Sequence, residues 1–200
     1  MDIEYMDAIS FRPLKAYLSE NGLKVKYVAE RTGQAATRIS GLIQGASLPK
    51  TDMVGRICAV LRTRASNIVE FRGIETGPYF VDRPLPYMPP LDAAGEMTYR
   101  PLWNFLDEYL EGHPGKTAND LFDKIVPPRR KNGIDEKGIK RALEVKYGDG
   151  YRPKTRKRTT VGLPAFTRTK LRNDRPLSLR TIYEICRYLG CGIDWVLSYK

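Results

Sequence analysis

One histidine and three cysteines among 200 residues leave little from which to build a metal centre or a redox pair. His113 stands alone, and Cys58, Cys186 and Cys191 include no C-x-x-C spacing of the kind that holds zinc or cycles a disulfide. So low a cysteine content excludes a disulfide scaffold and fits a reducing compartment. No G-x-S-x-G, no glycine-rich phosphate cradle and no spaced carboxylate cluster occurs, so no enzyme and no cofactor is expected. A tyrosine recombinase fares no better, because the Arg and His partners it needs form no pattern. No apolar run approaches the roughly 20 residues of a membrane span, and the opening MDIEYMDAIS is acidic where a signal peptide would be basic. A cytoplasmic protein of a bacterial host is expected.

What the chain has is positive charge: 34 Lys and Arg oppose 23 Asp and Glu, a net of +11. Such a balance points to a polyanion, above all nucleic acid. The charge is unevenly placed, since residues 127–160 carry 12 basic against four acidic residues, a net of +8. Residues 1–98 are nearly neutral, with 12 against 11.

The stretch from Tyr27 to Phe71 has the clearest organisation. Tyr27, Val28 and Ala29 lie on one apolar-periodic segment and Ala36, Ile39, Leu42 and Ile43 on a second, with Gly33 between them. That is two short helices meeting at a residue free to turn tightly. Gly45 supplies a second stop, Pro49 introduces the next helix, and Val54, Ile57, Cys58 and Leu61 form its inner face. Upstream, Ser10 is placed as the N-cap of a helix carrying Phe11, Leu14, Tyr17 and Leu18, which Asn21-Gly22 ends.

Val28, Ala29, Gly33, Ile39, Ser40, Gly45, Pro49, Val54, Ile57, Leu61 and Ile68 follow the pattern of phage-repressor-like helix-turn-helix domains, and the segment resembles that family (lambda repressor/Cro, XRE-type). Cys58 replaces a small residue and Ile43 stands where many members carry Glu. The resemblance implies an all-α, five-helix domain whose third helix, about 35–44, enters the DNA major groove. It also implies base and phosphate contacts from Gln34, Ala36, Thr37, Arg38, Ser40, Gly41 and Gln44. The chemistry agrees in part: Gln44 suits adenine, Arg38 suits guanine or a phosphate, and the Thr37 methyl suits thymine.

The family pattern occurs twice. TYRPLWNFL from Thr98 copies SFRPLKAYL from Ser10, while Ile182, Ile185, Cys186, Leu189 and Val196 stand 128 positions after Val54, Ile57, Cys58, Leu61 and Ile68. Two helix-turn-helix domains, 1–72 and 98–200, are therefore expected around a Pro-rich linker at 73–97, whose Tyr79, Phe80, Tyr87 and Met88 suit a docked connector.

Because the offset grows from 88 to 128, the second copy carries an insertion at about 126–162. Residues 117–125 are expected as its second helix and 163–172 as its third, with Thr167, Arg168, Lys170 and Arg172 facing outward. The insertion is read as a short helix at 135–146, a hairpin tip at Tyr147–Tyr151 and a phosphate-contacting arm. Arg129, Arg130, Lys131, Lys154, Arg156, Lys157 and Arg158 are its basic residues.

These readings imply a sequence-specific regulator, a repressor of phage or mobile-element type, that binds double-stranded DNA and is a possible homodimer. The alternatives are a phage-encoded inhibitor that docks its helix-turn-helix units on a host defence protein or ribonucleoprotein, in the manner of an anti-CRISPR, and an RNA-binding protein.

Overall fold

A computed structural model describes residues 3–77, 80–81, 83–86, 96–125 and 162–199. The basic insertion, with its expected helix, hairpin and arm, lies outside the described residues. What is described is mainly helical, with two small two-stranded sheets.

In chain order, helix α1 (Ile3–Ala8) leads into strand β1 (Ile9–Ser10), and α2 (Arg12–Glu20), α3 (Val25–Thr32), α4 (Ala36–Ile43) and α5 (Thr51–Leu61) follow. A 3-10 turn at Ala65–Asn67 then delivers strand β2 (Glu70–Phe71). The series begins again with β3 (Met97–Thr98), α6 (Arg100–Glu111) and α7 (Ala118–Phe122). It closes with α8 (Ala165–Arg172), α9 (Leu179–Leu189), a 3-10 turn at Ile193–Trp195 and β4 (Ser198–Tyr199).

Glycine sets the turns of the first copy. Gly22, Gly33 and Gly45 all have positive φ, at 63°, 66° and 75°, each just after a helix. Ser10, expected to cap α2, lies one residue too early. Phe11 holds the N-cap place without a side-chain bond, and Ser10 Oγ accepts from Arg12 N at 3.2 Å. Helix α1 and the four short strands were not expected from the sequence.

Those strands carry the duplication into three dimensions. Ile9 pairs with Phe71 and Met97 pairs with Tyr199, antiparallel in both cases. The two partners of one ladder thus stand 88 and 128 positions from the partners of the other. Phe11 and Tyr99 share nearly the same backbone, φ −99° and −97° with ψ 19° in both. Arg62, with φ 50°, answers Gly190, with φ 70°, again 128 apart.

The copies pack together about an approximate two-fold axis. A residue that touches its own equivalent across such an interface must sit close to the axis. Two pairs do so at the offset of 128: Lys50 forms an antiparallel bridge with Ser178, and Ser66 hydrogen-bonds Asp194. Around them α5 packs on β3 and β4, and α9 packs reciprocally on β1. The Thr51 hydroxyl lies 3.2 Å from the Tyr99 hydroxyl, and Tyr199 donates to the Thr51 carbonyl at 3.3 Å. On the other side the Tyr183 ring meets Phe71 edge-on, and its hydroxyl donates to the Arg72 carbonyl at 3.1 Å.

One apolar core results, holding Leu14, Val28, Ile39, Val54, Ile57 and Ile68 from the first copy with Leu102, Leu106, Leu171, Ile182, Ile185 and Val196 from the second. Cys58 and Cys186 are fully buried within it, and burial pushes both thiols well above their ordinary pKa. The described part of the connector lies against this body. Gly77 N donates to Gly190 O at 2.7 Å, Phe80 packs on Phe105 and Trp195, and Arg64 donates to the Pro86 carbonyl. Among the described residues, no helix is long and apolar enough to cross a membrane, and no cluster of His, Cys, Asp and Glu could hold a metal ion.

Candidate nucleic-acid interface

Helix α4 is held by its apolar face, which fixes what its other face can do. Ile39 and Leu42 are buried against α3, α2 and the rest of the core, leaving Ala36, Thr37, Arg38 and Gln44 exposed and Gln34, Ser40 and Gly41 half-buried. No side chain caps the helix at Ala35. Arg38 Nη1 donates to Gln34 Oε1 at 2.8 Å, across the turn at the start of the helix. That bond uses one of the five guanidinium N–H donors, so Arg38 is steadied yet keeps donors for a phosphate or a guanine edge.

Helix α8 matches α4 at an offset of 129, as the backbone shows bond by bond. Arg38 N→Ala35 O is answered by Thr167 N→Pro164 O, Gln44 N→Ser40 O by Asn173 N→Thr169 O, and Ala46 N→Gly41 O by Arg175 N→Lys170 O. Gly45, with φ 75°, is answered by Asp174, with φ 47°. An aspartate tolerates that conformation better than most side chains, and here its carboxylate also accepts from Tyr99 N at 2.8 Å. The Tyr99 hydroxyl donates to Arg175 O at 3.2 Å, pinning the turn after α8 from both ends.

This register corrects one expectation. Arg168 stands where the first copy has the buried Ile39, and its guanidinium turns inward. Nε donates to the Leu163 carbonyl at 2.8 Å, Nη1 to Asn119 Oδ1 at 3.0 Å, Nη2 pairs with Asp123, and the group lies over the Phe122 ring. Arg168 therefore ties α8 to α7 and does not face outward. Of the other three, Thr167 and Lys170 are half-buried and Arg172 is exposed.

The same register brings forward Asn173, which sequence reasoning passed over, and Phe166, which the sequence offers only as an apolar residue of the third helix beside Leu171. Asn173 falls at the place of Gln44, and both amides are exposed. Phe166 falls at the place of Thr37 and is 69% exposed, with Lys170 Nζ 4.5 Å from its ring centroid. The signal was the 129-residue offset itself, which apolar content alone does not reveal. Arg129, Arg130, Lys131, Lys154, Arg156, Lys157 and Arg158 lie outside the described residues.

Comparison with models of known families, with curated proteins and with solved structures returns no match.

Proposed function

We propose that this chain is a sequence-specific double-stranded DNA-binding regulator in which two unlike helix-turn-helix units act as a built-in pseudo-dimer. The observation that carries this reading is the meeting of equivalent residues, Lys50 with Ser178 and Ser66 with Asp194. A two-fold relation of that kind exchanges α4 with α8, as dimeric helix-turn-helix proteins exchange their recognition helices over two half-sites. Here one chain supplies both. Exposed Thr37, Arg38 and Gln44 on one helix, and Thr167, Lys170 and Asn173 on the other, provide donors and acceptors suited to base edges. The basic insertion adds phosphate contacts, and the net charge of +11 favours association with a polyanion.

Selection of bound sequences from random duplex DNA, with the intact protein at about 150 mM salt, tests the proposal by weakening non-specific contacts. The expected result is an enriched site of two unlike halves whose centres lie about 10 base pairs apart, bound by one chain per duplex. No enrichment would sink it, and tight binding to a host protein or a ribonucleoprotein instead would promote the docking inhibitor.

A further inference from the structure

Among the described residues, the large apolar side chain most exposed to water is Phe166. Single exposed apolar residues are common on proteins and by themselves mean little. The place of this one is what matters, because the matched backbone bonds put it where the first copy carries Thr37, on the second position of a helix whose opposite face is buried through Leu171. Two positions on a helix lie about 200° apart, so with the Arg168 guanidinium turned inward to Leu163, Asn119 and Asp123, the Phe166 side chain leaves from the other side of the helix. The ring is instead steadied from one side by the Lys170 ammonium.

We infer that Phe166 is a base-reading residue, which lays its ring against the 5-methyl group of a thymine in the major groove of the second half-site. The inference rests on the DNA-binding reading above and goes further, naming the residue and the base. Double-stranded DNA is the occupant that fits the surroundings. Lys170 Nζ lies over the ring, and Arg172 on the same helix and Arg175 just beyond it are exposed, a local positive charge that would repel a basic partner and attract phosphates. The thymine methyl is the apolar feature of the major-groove edge, and apolar side chains are the groups that read it. Lys170, already over the ring, is placed to reach a guanine or phosphate next to that thymine.

The test uses the full chain and the duplex recovered by the selection described above. Each thymine is replaced in turn by deoxyuridine, which removes the methyl and nothing else. Affinities are measured by fluorescence anisotropy for the wild type and for Phe166→Ala. One thymine, in the half-site that Gln44→Ala does not affect, should weaken wild-type binding by about three- to fivefold, the worth of one buried methyl group. The same replacement should leave Phe166→Ala unchanged, and thermal melting of that variant should match the wild type. Uracil tolerated at every position of an enriched site would overturn the inference while leaving the DNA-binding reading intact. A Phe166→Ala variant that melts several degrees lower would also overturn it, by assigning the ring to packing within the chain. If no duplex is enriched at all, both readings fall together.

Discussion

Ser66 and Asp194 show what duplication allows a single position to become. They are equivalent residues on the approximate two-fold axis, and their side chains meet, Ser66 Oγ donating to Asp194 Oδ2 at 2.5 Å and Ser66 N to Oδ1 at 3.2 Å. In a dimer of identical chains the same place would hold Ser against Ser or Asp against Asp. Two carboxylates there would repel, so this pair favours the union of unlike copies over the union of two second copies. Burial raises the Asp194 carboxyl above its ordinary value despite the bonds from Ser66. In the window between the unfolded and the raised folded value the native state keeps a proton the unfolded chain has lost, so stability falls as pH rises through it. Ser66→Asp should deepen that fall, costing about 2 kcal/mol or more at pH 7. Much of the loss should return as the pH is lowered, when one of the two carboxyls takes up a proton. Ser66→Asn, which keeps donors, should stay close to the wild type. Melting temperatures from pH 4 to 8 decide it, and a pH-independent deficit in Ser66→Asp would refute the account.

At the scale of elements, the matched helix ends differ in one telling way. Arg62 and Gly190 both adopt positive φ after α5 and α9, but at Gly190 the connector backbone fills the space a Cβ would need. A Cβ on Gly190 would come within 2.5 Å of Gly77 N and 2.9 Å of Glu75 O, both backbone atoms with no room to yield. Gly190→Ala should therefore destabilise by about 2 kcal/mol or more, combining left-handed strain with the displaced connector. Arg62→Gly should change stability by no more than about 1 kcal/mol. Thermal melts measure both, and limited proteolysis should cut Gly190→Ala faster within 73–97. The sequence made much of this frame legible. The turns at Gly22, Gly33 and Gly45, the buried Ile57 and Ile185, and the offsets of 88 and 128 were all readable, because apolar spacing and glycine positions are properties of the chain itself. The strands were not, since two residues establish no period. Nor was the inward turn of Arg168, because an arginine in a core position reads as surface until Asp123, Asn119 and the Leu163 carbonyl are brought to it by the fold.

Across the whole molecule, two kinds of positive charge follow from the DNA-binding reading proposed above, those that hold the fold and those that would meet phosphate. Arg168 belongs to the first kind, while Arg156, Lys157 and Arg158 lie in the insertion where residues 127–160 carry a net of +8. Salt dependence separates them, because each phosphate neutralised on duplex DNA contributes about −0.9 to the slope of log K against log salt. Replacing Arg156, Lys157 and Arg158 together by Ala should flatten that slope by up to about 2.7 and weaken specific and random duplexes alike. Melting of the triple variant should be unchanged. Arg168→Ala should do the reverse, lowering stability by about 1 to 3 kcal/mol through the loss of charge-assisted bonds between α7 and α8. Its salt slope should match the wild type under conditions where it remains folded. Anisotropy titrations between about 50 and 300 mM salt, paired with melts of the same preparations, distinguish the two outcomes. A slope unchanged by the triple replacement would remove the arm from the interface. A slope flattened by Arg168→Ala would mean that its guanidinium leaves Asp123 for a phosphate when DNA arrives.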